Sequence, residues 1–524
     1  MPTTRKIELR FPLAGVVRRV GYFDSANARP PYPTPWAVNV RAEDPLAKRL
    51  RGGSRPGLTK YLDDDLGDVT GLLPLATSSA DGASSAIAVV ADEALGVIED
   101  GAVTYPEGNL LDNNGVEILD NNGVEILADT GSVPATCFLV SAGQKVFAIA
   151  AEAVTVLDVA SGVIDTLTAT TGTVPTGCTF GAVYRNRLLL AGGDNSVFCS
   201  RQGNFRDWDY GADEEDHGAA TIFQLSEAAG LGGLPTAMVP HRDAFLLAAT
   251  VNDLWVVQGD PVAGGKLRNV SRDVGIAGPR AWCKAGDDVL FLSADGLYMV
   301  RASGEGLKLL SDERIPEDLV DVPATTTIAL AYHHATKGVH IFLTPATGSG
   351  THWFFDFQTG GFWADRFQTD HEPAAVCRFG EDLLIAGADG YLRYVGGDDD
   401  DGEAIESHVL IGPLRLAATG NVAILTELDG SLGIGSGDVT WRIVIGNSAE
   451  EACENAKTAV ELYLAGSVSA AEAYAETNGT LEAGRNRRKN PRIRGAWYVI
   501  WLQSTAKWAY EWIMLQGIEA GRYR

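Results

Sequence analysis

Between residues 85 and 400 the chain repeats one pattern of apolar and polar positions: a short apolar run, a tight polar turn, then a second apolar run. The pattern predicts hairpins at 86–98, 146–157, 188–199, 245–257, 289–300, 339–357 and 383–395. Their first strands start roughly 42 to 60 residues apart, the spacing of four-stranded propeller blades. A second repeat runs in phase. Upstream of five hairpins a proline precedes Cys or Met by three or four residues: Pro134/Cys137, Pro175/Cys178, Pro235/Met238, Pro279/Cys283 and Pro373/Cys377. Two signals in one register predict an all-β protein built on a β-propeller of about seven blades, within a range of six to eight.

The flanks lose this period. Residues 1–65 read as an extended basic arm, because the prolines of NARPPYPTPW (27–36) fix φ and lack amide donors. The arm either moves freely or lies along another surface; Tyr32 and Trp36 favour the second, since exposed aromatics rarely go unused. The propeller is placed at 66–400 and ends at the acidic GGDDDDG (396–402), which reads as a solvated linker. Residues 401–524 are predicted to form a separate β-sandwich-like domain. Its clearest strands are 441–445 and 496–502, with a short helix near 449–457 introduced by Ser448. The aromatic stretches at 492–501 and 508–512 read as two strands paired with each other. A tandem octad, LDNNGVEI at 111–118 and again at 119–126, predicts a small ribbon with Asn-Gly turns. It lacks the spacing and closing Glu of a calcium loop, and residues 211–234 add an acidic loop.

Charge is the strongest compositional clue. The net is −26, yet residues 1–60 carry +8 and residues 484–524 carry +7, leaving −41 for the body. A body so acidic cannot grip DNA through phosphate contacts, which need Lys and Arg. The six cysteines form no C-x-x-C pair, and the four in the repeat read as small buried apolar residues. Residues 1–15 lack a signal-peptide apolar segment and no run reaches membrane-span length, so synthesis and retention in a reducing cytoplasm are expected.

Candidate chemistry is sparse. There is no G-x-S-x-G, no phosphate-cradling glycine loop and no sialidase-type Asp box. His333, His334 and His340 read as solvated strand-edge residues, because adjacent histidines on a strand face opposite ways and cannot easily share one metal ion. Asp158–Gly162 and Asp356–Gly360 read as Asp-capped turns. No catalytic residue, cofactor or metal is assigned. Carboxylate pairs acting on a polysaccharide remain an alternative, as does a monomeric propeller scaffold for protein partners.

Several phrases together resemble a known family. PPYPTPWAVNV…RLRGGSRPGL (30–58), YRNRLLLAGGDNSVFCSRQGNFRDWDYG (184–211), NVSRDVGIAGPRAWCKAGDDVLFLSADGLY (269–298) and RIRGAWYVIWLQS (492–504) are similar to the tail nozzle proteins, or tail tubular proteins B, of short-tailed bacteriophages. The resemblance implies a structural virion protein located in the tail and made in the host cytoplasm. It implies a homohexamer below an adaptor ring, near tail fibres or spikes, through which double-stranded DNA passes without specific binding. An acidic wall would repel DNA and let it slide. Tyr32, Trp36, Arg49, Arg51, Arg55, Arg487 and Arg488 are then the candidate contacts to neighbouring subunits or the adaptor. Exchanging Arg49, Arg51 and Arg55 for Glu is expected to block the ring and spare the fold.

Overall fold

A computed structural model of the chain describes residues 4–17, 21–26, 32–77, 84–99, 101–105, 108–109, 127–128, 133–211, 216–226, 233–301, 304, 306–311, 314–320, 322–345 and 347–522. The tandem octad lies outside these residues, as does part of the acidic loop.

All seven predicted hairpins form, each as the middle two strands of a four-stranded antiparallel unit. The inner strands are Val69–Thr77, Phe138–Ala142, Phe180–Tyr184, Ala237–His241, Trp282–Ala285, Thr326–His333 and Pro373–Phe379. The first four lie side by side in sequence order, as do the last three, and the seventh packs against the first. The fourth, fifth and sixth units share one apolar core. The arrangement is all-β and propeller-like. Local chemistry explains the hairpins: two-residue loops at Asp92-Glu93 and Arg185-Asn186 take positive φ at both positions, the twist that matches paired strands. Asp158 accepts from the amides of Ala160 and Ser161. Asp356 accepts from the Gln358 amide and the Thr359 hydroxyl. These are the capped turns read from the sequence.

The N-terminal segment is threaded into the body at four places. Thr4–Leu9 pairs with Tyr510–Arg522, Leu9 opposite Ile513. Ala37–Val38 bridges Gly361–Asp365 and Ser407–Leu414. Val40–Glu43 and Leu50–Ser54 form a hairpin. Leu58–Lys60 supplies the outer strand of the seventh unit, Leu58 opposite Val395. Glycine makes the docking possible. A Cβ at Gly52 (φ +83°) would enter the Phe11 ring, and one at Gly57 would strike the Asp399 carbonyl.

The C-terminal region departs from the expected separate sandwich. Through Ala37–Val38 the sixth unit runs on into Ser407–Leu414, Trp497–Ser504, Val439–Gly446 and Thr477–Leu481, giving one nine-stranded sheet. A second sheet of Thr4–Leu9, Tyr510–Arg522, Asn421–Leu432 and two short edge strands covers one face. Strands 497–504 and 510–522 therefore lie in different sheets and are not paired with each other, correcting the sequence reading. Trp497–Ser504 is buried on both sides, so it reads as a continuous apolar run. Tyr498, Ile500 and Leu502 enter the inter-sheet core, whereas Val499 and Trp501 face a helix. That helix, Ala449–Leu464, is longer than predicted. Ser448 caps it by accepting from the Glu451 amide at 3.0 Å. Ala452, Cys453, Ala456, Ala459 and Val460 form its buried stripe, small enough for close approach to the sheet.

Candidate functional site

The basic residues divide into two groups by what surrounds them. Arg55 is 3% exposed. Its two terminal nitrogens donate to Asp400 at 2.9 and 2.6 Å, and its Nε donates to Asn39 at 2.9 Å. Arg51 spans Asp44 (2.9 Å) and Glu511 (3.1 Å). Trp36 is buried in the core beneath the helix. Arg55 and Trp36, and largely Arg51, are therefore engaged inside the chain and not displayed to a neighbour. The GGDDDDG stretch is correspondingly no free linker: Asp400 holds Arg55, Asp401 holds Arg393 at 2.9 Å, and Asp398 holds Lys507. Tyr32 and Arg49 remain exposed.

The second group forms a cationic edge. Residues 484–494 run along Asn421–Leu432, with Arg485 opposite Ser431 and Ile493 opposite Leu425. Asn486 ties the turn by donating to the Glu482 and Gly484 carbonyls and accepting from the Glu482 amide. Ile493 anchors the strand, so Arg492 and Arg494 on either side project outward. Arg488 meets Glu427 at 2.9 Å and Arg485 approaches Asp429 at 3.8 Å, exposed guanidiniums over largely buried carboxylates. Among the described residues, the exposed Arg487, Arg492 and Arg494 have no ion-pair partner. Pro491 and the row of charges also discourage addition of another strand, so a partner at this edge is met by charge.

His333 and His340 are both 3% exposed, which corrects their reading as solvated. Their rings lie 6.0 Å apart. His340 packs on Phe342 and Phe354, beside the buried pair Arg41–Asp365, whose two hydrogen bonds are each 2.7 Å. Burial holds His340 well below its ordinary pKa. Burial first, then Lys48 and Arg41, lower His333 to about 4. Neutral rings among aromatics suit a packed interior, and among the described residues no group of three His, Cys, Asp or Glu is arranged for a metal. All six cysteines are buried and free. Desolvation raises the thiols of Cys137 and Cys178 to about 11 and of Cys377 and Cys453 to about 12, so none of these four is a thiolate near neutrality.

The inner strands enclose a cavity of about 620 Å³. Its walls are mainly apolar, with Leu72, Phe138, Val183, Trp282 and Phe342 among them. The charged residues that line it are Arg280, Lys284 and Arg378, with no carboxylate. The sequence reading missed it, although one signal was available. The residue after the repeat proline is Ala135, Thr176, Thr236 and Ala374 in four copies and Arg280 in the fifth.

No family model and no curated protein matches the chain. Solved structures with partial likeness include the computationally designed Ika8 protein (15% identity, 65% of this chain and 99% of that one, TM-score 0.37). Another is virginiamycin B lyase from Staphylococcus aureus (15% identity, 64% and 97%, TM-score 0.38). A third is the extracellular domain of a one-component system from B. thetaiotaomicron (12% identity, 72% and 43%, TM-score 0.41).

Proposed function

We propose that this chain is a structural virion protein, one subunit of the distal nozzle of a short bacteriophage tail. In this reading it is a seven-bladed propeller joined to a sandwich-like C-terminal region. Six copies form a ring beneath the adaptor, and genomic double-stranded DNA leaves through it. The observation that carries the reading is the cationic edge at 485–494 on an otherwise acidic chain. An edge of one sign on a body of the other suits head-to-tail contact between identical subunits, which closes into a ring when the rotation allows. The nozzle-like phrasing of the sequence supplies the biological setting. The docked N-terminal segment supports it differently: with Arg51 and Arg55 spent internally, the assembly role falls to Arg487, Arg488, Arg492 and Arg494, and to the exposed Arg49.

Mass photometry and negative-stain imaging of the purified chain test this, alone and mixed with an adaptor ring. The expected result is a ring of six 55.6 kDa chains, formed alone or on the adaptor. A particle that stays a single chain under both conditions would sink the proposal.

A further inference from the structure

The buried arginines among the described residues have acidic partners. Arg41 is paired with Asp365, Arg55 with Asp400, Arg187 with Asp260, and Arg393 with Asp389 and Asp401. Arg442 lies 3.6 Å from Glu472. Arg280 stands just before the inner strand of the fifth unit and reaches over to the first and second. Its terminal nitrogens donate to the carbonyls of Thr70 (3.1 Å) and Cys137 (3.0 Å). No carboxylate lies within ion-pair distance among the described residues. Desolvation lowers the pKa of the guanidinium. The cavity leaves it part-exposed on its open side. A guanidinium has five N–H donors, and the two carbonyls leave it charged and only partly satisfied.

The remaining lining explains what would complete it. Lys284 and Arg378 lie toward the opposite ends of their inner strands, four residues or more along from the Arg280 level. At the rise of an extended chain this puts them about 13 Å away. Lys284 sits near the Trp282 ring, 6.0 Å from its centre, and Arg378 donates to the Gly380 carbonyl at 3.1 Å and lies 3.9 Å from the exposed Glu381. The cavity thus has apolar walls, two exposed cations toward one end, taken as its mouth, and Arg280, with no acidic partner, toward the other. Its 620 Å³ falls in the usual range for small-molecule sites.

We propose that the central cavity binds an amphipathic monoanion, an apolar body of medium chain length whose acidic head pairs with Arg280. Lys284 and Arg378 draw the anion to the mouth, Leu72, Phe138 and Phe342 cover its body, and Arg280 accepts its charge. The small residue at the equivalent position of the other four repeat copies fits this. A bare frame needs no long side chain there, and only one copy carries a fixed charge to the axis.

Isothermal titration with decanoate, decanol and decylammonium tests the proposal on the whole chain. Decanoate should bind with one site per chain, decanol at least tenfold more weakly, and decylammonium not at all. Arg280→Met keeps the side chain's length and removes its charge; it should lower decanoate affinity at least tenfold and leave decanol unchanged. Should that variant fail to fold, Lys284→Glu and Arg378→Glu alter side chains at the open mouth, and each should weaken decanoate several-fold. Equal binding of decanoate and decanol, or no decanoate binding at millimolar concentration, would overturn the assignment. So would unchanged decanoate affinity in the folded variants.

Discussion

Arg49 and Arg55 lie six residues apart and carry the same charge, yet their replacement by glutamate should have opposite consequences. Arg49 is exposed, and Arg49→Glu is expected to shift stability by no more than about 0.5 kcal/mol. Arg55→Glu removes a buried bidentate partner and sets a second carboxylate beside Asp400, a change of about 3–5 kcal/mol or more. Urea unfolding of the two variants checks both values; similar midpoints would contradict the pairing seen here. The triple exchange expected from charge alone to spare the fold should therefore unfold it. Histidine behaves by the same logic. Folded, His333 stays neutral down to about pH 4, whereas unfolded it titrates near 6.5. Between those values the unfolded chain holds the extra proton, so the contribution is fully present above pH 6.5. It falls as pH drops through the window, by about 3 kcal/mol at the lower end. His340 shifts in the same direction. His333→Asn should flatten the loss of stability between pH 6.5 and 4.5 measured by urea titration; an unchanged slope would place the proton elsewhere.

At the scale of elements, short-range order was readable and long-range docking was not. The seven hairpins, the Asp-capped turns and the Ser448 cap depend on residues a few positions apart, where period and turn chemistry act directly. Ser448→Ala should cost about 1 kcal/mol in thermal unfolding. Thr4–Leu9, Ala37–Val38 and Leu58–Lys60 find partners more than 300 residues away, which no local pattern encodes. The same distance hid Asp400 from Arg55, so the basic stretch looked free and the acidic stretch looked solvated. His334 is exposed as expected, but His340 was misread because a strand buried on both sides shows no alternation: Gly338–Pro345 is buried over its first six residues. The continuity of the sixth unit with the C-terminal sheet was hidden because its link is two residues long. Removing residues 1–60 deletes the outer strand of the seventh unit and the edge strand of the C-terminal sheet. The truncated chain should lose its cooperative thermal transition, and a native-like transition would show that these strands only decorate the body.

For the whole molecule, the segregation of charge predicts how assembly responds to salt. Contacts between an arginine-rich edge and an acidic partner weaken as the screening length falls from about 10 Å at 0.1 M to about 3 Å at 1 M. Joint exchange of Arg487, Arg488, Arg492 and Arg494 for Glu should leave the melting temperature within a few degrees and abolish rings in mass photometry. Rings that persist in this variant would move the interface to another face. Part of this was visible beforehand, since the basic C-terminal stretch stands out by composition. Which arginines are unpartnered was settled only by Glu427 and Asp429, which arrive from a neighbouring strand.

Thr4–Leu9 is hydrogen-bonded to Tyr510–Arg522, so a strand made early must wait for one made much later. The C-terminal sheet stays open until Tyr510–Arg522 has been made. Subunits should become competent to associate only once that strand is available. A ribosome stalled before residue 510 should hold a nascent chain whose leading end a protease removes readily, although the hairpins behind it have already formed.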